Sequence, residues 1–433
     1  MNNINTINAY CISLGCPKNR VDTERLLGSI TKNIYITDNI KKANFIFINT
    51  CAFILPAIKE SIKTVIETID EIKNYKKKPI LAVGGCLIGR YNLDELKKEI
   101  PEVNIWLSAK DINNWPKLIQ KEFEIIKNTR KDRIVSTYPY AWLKIGEGCQ
   151  HKCSFCTIPS IKGPLSSENI DDLIIETKKL TDNGIKEIIL VSQDVTSFGF
   201  DRKEKGLIPL LEKLLKIKDL HWLRLLYCYP TGITTDLLKF MNEHNKKLIS
   251  YLDIPIQHSH KDILKSMGRP FKCDPRNVIE NIRKHLPNAI IRSTVITGYP
   301  NESEEHFNDL CQFVKEGYCN HLGVFSYEAE EGTKAEKLPN QIPNKIKTLR
   351  RKKLLSLQKK VSRKWLKEFI GKNLEILVEN RNPEWDGLFN GRAWFQAPEI
   401  DGIVYISGKN VECGKIINAE IIESSDYDLT ALA

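Results

Sequence analysis

Three short apolar runs near the N-terminus each stop at a cysteine: residues 9–15 before Cys16, 44–50 before Cys51, and 79–85 before Cys86. Each run has strand length, and segments with helical spacing such as 56–73 lie between them, the pattern of a parallel sheet with crossover helices. Ligands of such sheets gather at the carboxyl ends of the strands, so the three cysteines are expected to meet there although 35 residues separate each from the next. A charged stretch from 127 to 133, followed by 136–139, reads as a linker. Beyond it, strand-like segments at 141–145, 187–192, 222–229, 248–256, 289–297 and 321–327 alternate with helical ones. Six such units predict a partial parallel barrel, open where an eight-unit barrel closes, with its active face at the strand C-termini. Ile346, Leu349, Leu354, Leu357, Val361 and Trp365 then form a stripe at helical spacing, which predicts a helix docked on the barrel by that face. Strand-like segments at 373–379, 391–395, 402–406 and 415–422, with turn residues between, predict a small antiparallel barrel. The fold class is α/β multidomain, divided at 1–130, 135–368 and 369–433.

Composition adds two constraints. The 433 residues leave room for about three domains, and a 42% hydrophobic share is ordinary for chains that bury real cores. The first residues have no basic start followed by an apolar run, and no window approaches the length of a membrane span, so a cytoplasmic protein without a membrane contact is expected. In a reducing compartment, twelve cysteines point to metal or redox work rather than disulfides.

Charge is unevenly spread. Residues 371–433 hold five Lys or Arg against eleven Asp or Glu, net −6, which leaves +17 on 1–370 out of a total of +11. Eleven basic residues crowd into 344–369. That helix reads either as a nucleic-acid contact or as a solvated face. The acidic terminal barrel repels RNA and attracts a basic protein.

The candidate chemistry centres on Cys149, Cys153 and Cys156, with three and then two residues between them. Three thiolates on one short loop can hold a four-iron cluster and leave one iron open. A zinc knuckle that adds His151 is the alternative, although His151 needs a strained loop to reach the same metal. Cys16, Cys51 and Cys86, each beside Gly, Asn or Thr, are candidates for a second cluster. Cys11 lies within a strand and reads as packing, as do Cys228, Cys273, Cys311, Cys319 and Cys413. At the expected strand ends of the barrel stand Gln193, Asp194, Tyr229, Gln257, His258, Thr297, Gly298 and Tyr299.

The loop from Cys149 to Cys156, with Phe155 before its last cysteine, resembles the radical S-adenosylmethionine superfamily. The three strand-end cysteines ahead of it resemble the methylthiotransferase family within that superfamily. The run Ser13-Leu14-Gly15-Cys16-Pro17-Lys18-Asn19 is similar to the branch that modifies a ribosomal protein, whereas the tRNA-modifying branch usually has Gly-Cys-Gln-Met-Asn. Residues 397–402, Ala-Pro-Glu-Ile-Asp-Gly, resemble the TRAM domain of the same branch. The resemblance implies two 4Fe-4S clusters, one on Cys149, Cys153 and Cys156 and an auxiliary one on Cys16, Cys51 and Cys86. It implies S-adenosyl-L-methionine as cofactor, held among Gln193, Asp194, Gln257, His258 and Gly298, and an electron donor such as flavodoxin or ferredoxin. It further implies insertion of a methylthio group at the β-carbon of an aspartate in small-subunit ribosomal protein S12, met free or within the ribosomal subunit. The rivals are a tRNA adenosine methylthiotransferase and a non-catalytic zinc-bound RNA-binding module. One departure stands out: Lys162-Gly163 and Ser166-Ser167-Glu168 occupy positions where the family commonly has Arg-Gly and Ser-Arg. Lysine keeps the charge but loses the bidentate fork.

Overall fold

The computed structural model describes residues 6–125, 132–202, 206–270 and 272–433, so the first part of the predicted linker lies outside the described residues. The first sheet contains β1 (Ile7–Ser13), β2 (Ile34–Ile36), β3 (Phe45–Thr50), β4 (Ile80–Gly85) and β5 (Ile105–Ser108). All pair in parallel in the order β2-β1-β3-β4-β5. Every residue of β3, Phe-Ile-Phe-Ile-Asn-Thr, is buried, as a central strand covered by helices on both faces requires. The first predicted strand ends two residues early. Gly15 sits at φ +86°, a left-handed conformation that takes the chain out of the sheet and into the helix Pro17–Ile30. Two edge strands, β2 and β5, carry too few residues for a periodic signal.

The second sheet holds six parallel strands: β6 (Tyr140–Lys144), then, after a two-residue hairpin pair β7 (Gly146–Glu147) and β8 (Ser166–Ser167), β9 (Glu187–Val191), β10 (Trp222–Leu225), β11 (Leu248–Asp253), β12 (Ile290–Thr297) and β13 (His321–Ser326). Their order, β13-β12-β11-β10-β9-β6, is sequential, which is the open barrel read from the alternation. Its outer face packs on the crossover helices through Leu190, Leu223, Leu252, Val295 and their neighbours.

The inner face is closed by the C-terminal barrel, β14 (Asn373–Arg381), β15 (Phe389–Ala393), β16 (Val404–Ser407), β17 (Ile416–Ser424) and β18 (Leu429–Leu432). Trp142, Ile189, Val191, Trp222 and Tyr251 of the open barrel share one apolar cluster with Ile376, Val378, Phe395 and Ile406 of the small one. At its centre Glu187, fully buried, accepts from Arg224 Nε and Arg392 Nη2, both at 2.6 Å. The strand β18, outside the four segments read from sequence, pairs in parallel with β16 and completes closure.

The helix Asn344–Leu366 docks on β13 by only part of the predicted stripe: Leu354 is buried and Leu357 and Trp365 pack against the core. Ile346 and Leu349 are exposed, whereas Lys347, Arg350, Leu354, Gln358, Ser362 and Leu366 form the buried face. The reason is the open edge of the sheet. Lys347 Nζ donates to Tyr327 O at 2.9 Å, Arg351 Nε to Val324 O at 3.0 Å and Gln358 Nε2 to Asn320 O at 3.0 Å, satisfying carbonyls that have no further strand to pair with.

Part of the basic character is therefore structural. Lys359 and Arg363 pair with Asp426 of the small barrel, Arg20 with Glu399, and Arg292 with Asp401 at 2.7 Å. Glu379 pairs with Arg392 inside the same barrel. Among the described residues, four of the eleven terminal carboxylates thus pair with a lysine or arginine of the chain.

Candidate active site

Cys16, Cys51 and Cys86 follow β1, β3 and β4 directly or after a short turn, and those strands are neighbours in the sheet. The topology brings the three thiols to one edge. A β-carbon on Gly15 would lie 2.8 Å from Cys51 Sγ, so the first turn needs glycine both for its backbone angle and for its space. Polar side chains stitch the turns together. Asn19 Nδ2 donates to Leu14 O and Thr50 O, each at 3.0 Å, and Asn49 Nδ2 donates to Asn19 O at 2.8 Å. Thr50 Oγ1 donates to Gly84 O at 2.6 Å and accepts from Leu87 N at 3.2 Å.

The loop bearing Cys149, Cys153 and Cys156 lies across the C-terminal ends of the open barrel. Ser154 N donates to Met267 O at 2.9 Å, and Ser154 Oγ to Ser266 O at 2.9 Å. The His151 ring stacks on Tyr229 with centroids 3.6 Å apart, and its Nε2 lies 2.7 Å from Asp194 Oδ2. His151 therefore belongs to the barrel wall rather than to a zinc ligand set in this arrangement. Arg269 lies over Tyr229 at 4.1 Å, and its Nη1 is 3.9 Å from Cys153 Sγ. Arg269 is a partner of the loop that residue spacing alone does not single out.

The two cysteine sets are joined by backbone. The short helix Ile158–Lys162, which leaves the loop, packs on the helix Cys86–Arg90 so closely that a β-carbon on Gly89 would lie 2.7 Å from Ile161 O. Thr157 Oγ1 donates to Phe53 O at 3.1 Å, two residues beyond Cys51. Glu330 of the barrel accepts from Leu55 N at 2.7 Å and pairs with Arg90 at 2.9 Å. Between the sets lies a charge cluster: Lys144 Nζ reaches Asp22 and Glu147, both at 2.6 Å, and Lys162 Nζ lies 3.3 Å from Glu147. Burial opposes the Lys162 charge, but Glu147 first, then Cys86, Asp22 and Cys16, outweigh it and hold the ammonium above the ordinary lysine value.

The donor chemistry fits iron-sulfur clusters. Burial pushes the Cys86 and Cys156 thiols up to about 12, so they keep their protons at neutral pH unless a metal replaces them. The strand ends also fit a polar ligand: Ser192 Oγ, Gln193 Oε1, Gln257 Oε1 and Arg269 Nε are buried without a hydrogen-bond partner. Such orphans are costly in a core and ordinary around a ligand.

The remaining pocket residues hold the frame. Asp194 is buried; hydrogen bonds from His151, Ser197 and Thr196 outweigh that burial and keep its carboxyl below the usual range. Gly298, at φ +74°, donates its N–H to Glu302, and Thr297 Oγ1 donates to Glu302 at 3.2 Å. His258 is fully enclosed, its Nδ1 accepting from His260 N at 2.9 Å and its Nε2 3.5 Å from Glu302. A groove of about 590 Å³ between Lys186, Lys218 and Lys415 lies at the opposite, N-terminal end of the strands, away from both cysteine sets.

Three segments of the chain match known families. Residues 8–108 match the uncharacterized protein family UPF0004, 143–314 the radical SAM superfamily and 370–433 the TRAM domain. Relatives named ribosomal protein uS12 methylthiotransferase RimO occur in Lawsonia intracellularis, 50% identical over 99% of this chain and 98% of that protein, and in Nitratidesulfovibrio vulgaris, 48% identical over 99% and 100%. The Aquifex aeolicus relative of that name is 43% identical over 96% and 95%. Among solved structures, the radical S-adenosylmethionine methyltransferase TsrM of Kitasatospora setae, with cobalamin and a 4Fe-4S cluster bound, superimposes with a TM-score of 0.55 at 10% identity, covering 74% of this chain and 75% of that one. That likeness is one of fold.

Proposed function

Because the chain belongs to the ribosomal protein uS12 methylthiotransferase family of radical S-adenosylmethionine proteins, we propose that its two cysteine sets hold two 4Fe-4S clusters facing one reaction space. The reaction class, methylthio transfer to ribosomal protein uS12, follows from membership in the family. When bound, the cluster on Cys149, Cys153 and Cys156 supplies the electron that cleaves S-adenosyl-L-methionine, and the cluster on Cys16, Cys51 and Cys86 supplies a place for the sulfur to be transferred.

The observation that carries the two-cluster reading is the backbone junction of Ile161 with Gly89 and of Thr157 with Phe53, which sets the two cysteine edges side by side. Gln193 and Gln257 offer their orphaned amide oxygens to the cofactor, while Asp194, His258 and Gly298 act as positioning residues behind them. Lys162 places a buried positive charge beside the strand-end thiols, where it offsets the negative charge of thiolates and bound sulfur.

The target is an aspartate β-carbon, and a flavodoxin or ferredoxin serves as electron donor. No helix among the described residues is long and apolar enough to cross a membrane. The test is mass spectrometry of ribosomal protein uS12 and of tRNA from cells with and without the gene, alongside iron analysis of the purified protein. A methylthio mass increment on uS12 that disappears with the gene supports the reading. An increment lost from tRNA adenosine instead, or an iron-free zinc protein, overturns it.

A further inference from the structure

The helix Pro17–Ile30, which starts just after Cys16, carries Lys18 in its first turn, and the Lys18 ammonium does not go where Lys144 and Lys162 of this region go. Lys144 and Lys162 each meet a carboxylate. Lys18 is 9% exposed, yet its Nζ meets only the Ser192 carbonyl at 3.3 Å and the face of the Tyr227 ring at 4.0 Å, and no carboxylate among the described residues lies within ion-pair distance. The nearest anion, Asp253, acts on the ammonium only from beyond ion-pair distance, and a buried charge so weakly compensated is expensive unless a ligand brings a closer partner.

The surroundings are built for such a ligand. Ser192 and Tyr227 stand just past β9 and β10, on the reaction face, and Ser192 Oγ is one of the orphaned buried donors. Tyr227 holds φ +59°, a left-handed conformation that a bulky residue adopts only under constraint. The constraint is visible: Tyr227 N donates to Asp253 Oδ2 at 3.0 Å, and Tyr227 O accepts from Val195 N at 3.1 Å. The ring is thereby fixed beneath the Lys18 ammonium. Asp253, the anion nearest along this wall, is already engaged by Tyr227 N and lies 3.8 Å from Arg292 Nε.

We propose that Lys18, with Ser192 and the Tyr227 ring, forms a carboxylate-binding site that receives the side-chain carboxylate of the target aspartate. The inference rests on the assignment of uS12 as substrate and adds the group that reads the aspartate's charge. Lys18 reaches the barrel from the first turn of the helix Pro17–Ile30, two residues beyond Cys16, so a carboxylate held there presents its neighbouring carbon between the two cysteine edges.

The experiment is a two-by-two binding measurement on the cluster-loaded enzyme. Fluorescence anisotropy compares labelled ribosomal protein uS12 with uS12 in which the target aspartate is asparagine, on wild-type and Lys18→Gln enzyme, with iron content confirming that the variant folds and loads. Wild-type enzyme is expected to prefer the aspartate form about tenfold, in line with one charge-assisted hydrogen bond. Lys18→Gln should erase that preference and Lys18→Arg should restore part of it. Equal discrimination by wild type and Lys18→Gln, or none by wild type while methylthiolation proceeds, overturns the Lys18 site and leaves the substrate intact. Failure of wild type to bind or modify either form removes the substrate assignment, and this site with it.

Discussion

The two cysteine sets are brought together by opposite means. Cys149, Cys153 and Cys156 lie within eight positions of sequence, and the loop's own covalent path brings them together; the barrel merely props it through Ser154, His151 and Arg269. Cys16, Cys51 and Cys86 have no local connection, and only the pairing of β1, β3 and β4 makes them neighbours. A local set depends on a loop's conformation. An assembled set depends on a whole domain being folded, so its geometry is coupled to the stability of the sheet beneath it.

The largest contrast is expected from removing a thiol of each set. Cys149→Ala should abolish cleavage of S-adenosyl-L-methionine, measured as 5′-deoxyadenosine, whereas Cys51→Ala should retain some cleavage but give no methylthio increment on uS12. Full methylthiolation by Cys51→Ala would break the division of labour. Next in size, Gly15→Ala forces a β-carbon into Cys51 and should lower bound iron to about half by disturbing the assembled set alone. The radical-loop cluster should keep its spectroscopic signature in that variant.

Supporting contacts should separate by a smaller margin. Asn49→Ala removes a fully buried amide that ties Asn19 and Thr23, and should cost about 1–3 kcal/mol in urea unfolding. Ser154→Ala, on the local loop, should cost about 1 kcal/mol. Equal losses would argue that both sets lean on their scaffold alike. The smallest effect is electrostatic. The Asp194 carboxyl is held below its ordinary value, so its contribution is complete above about pH 4 and is lost as pH falls through the depressed value. In cluster-free protein, the stability gap between wild type and Asp194→Asn should stay constant from pH 6 to about pH 4 and narrow below it.

The same distinction decides what was legible in the chain. Spacing alone marks Cys149, Cys153 and Cys156, and the all-apolar β3 with its neighbours marks the parallel sheet whose strand ends collect Cys16, Cys51 and Cys86. The sequential six-strand barrel followed from alternation. The docking face of the helix Asn344–Leu366 was legible only in part: Leu354 of the stripe is buried, but the sheet edge also asks for hydrogen-bond donors where periodicity looks for oil. His151 was legible as a possible ligand but not as the ring that stacks on Tyr229, 78 positions on, and spacing marked neither Arg269, 40 positions beyond Tyr229, nor Lys18, whose ammonium has no direct ion pair among the described residues. The acidity of the terminal barrel was legible as a total, but Glu379, Glu399, Asp401 and Asp426 direct part of it inward.

The apolar cluster shared by the inner wall of the open barrel and the terminal barrel also sets an order of events during biosynthesis. Trp142, Ile189, Trp222 and Tyr251 are translated well before Ile376, Phe395 and Ile406, which cover them. Until β14 to β18 emerge, the nascent chain carries a greasy concave wall, with the Glu187–Arg224 pair at its base still lacking Arg392. A chain halted before residue 373 is accordingly a substrate for chaperones and proteases rather than a smaller enzyme.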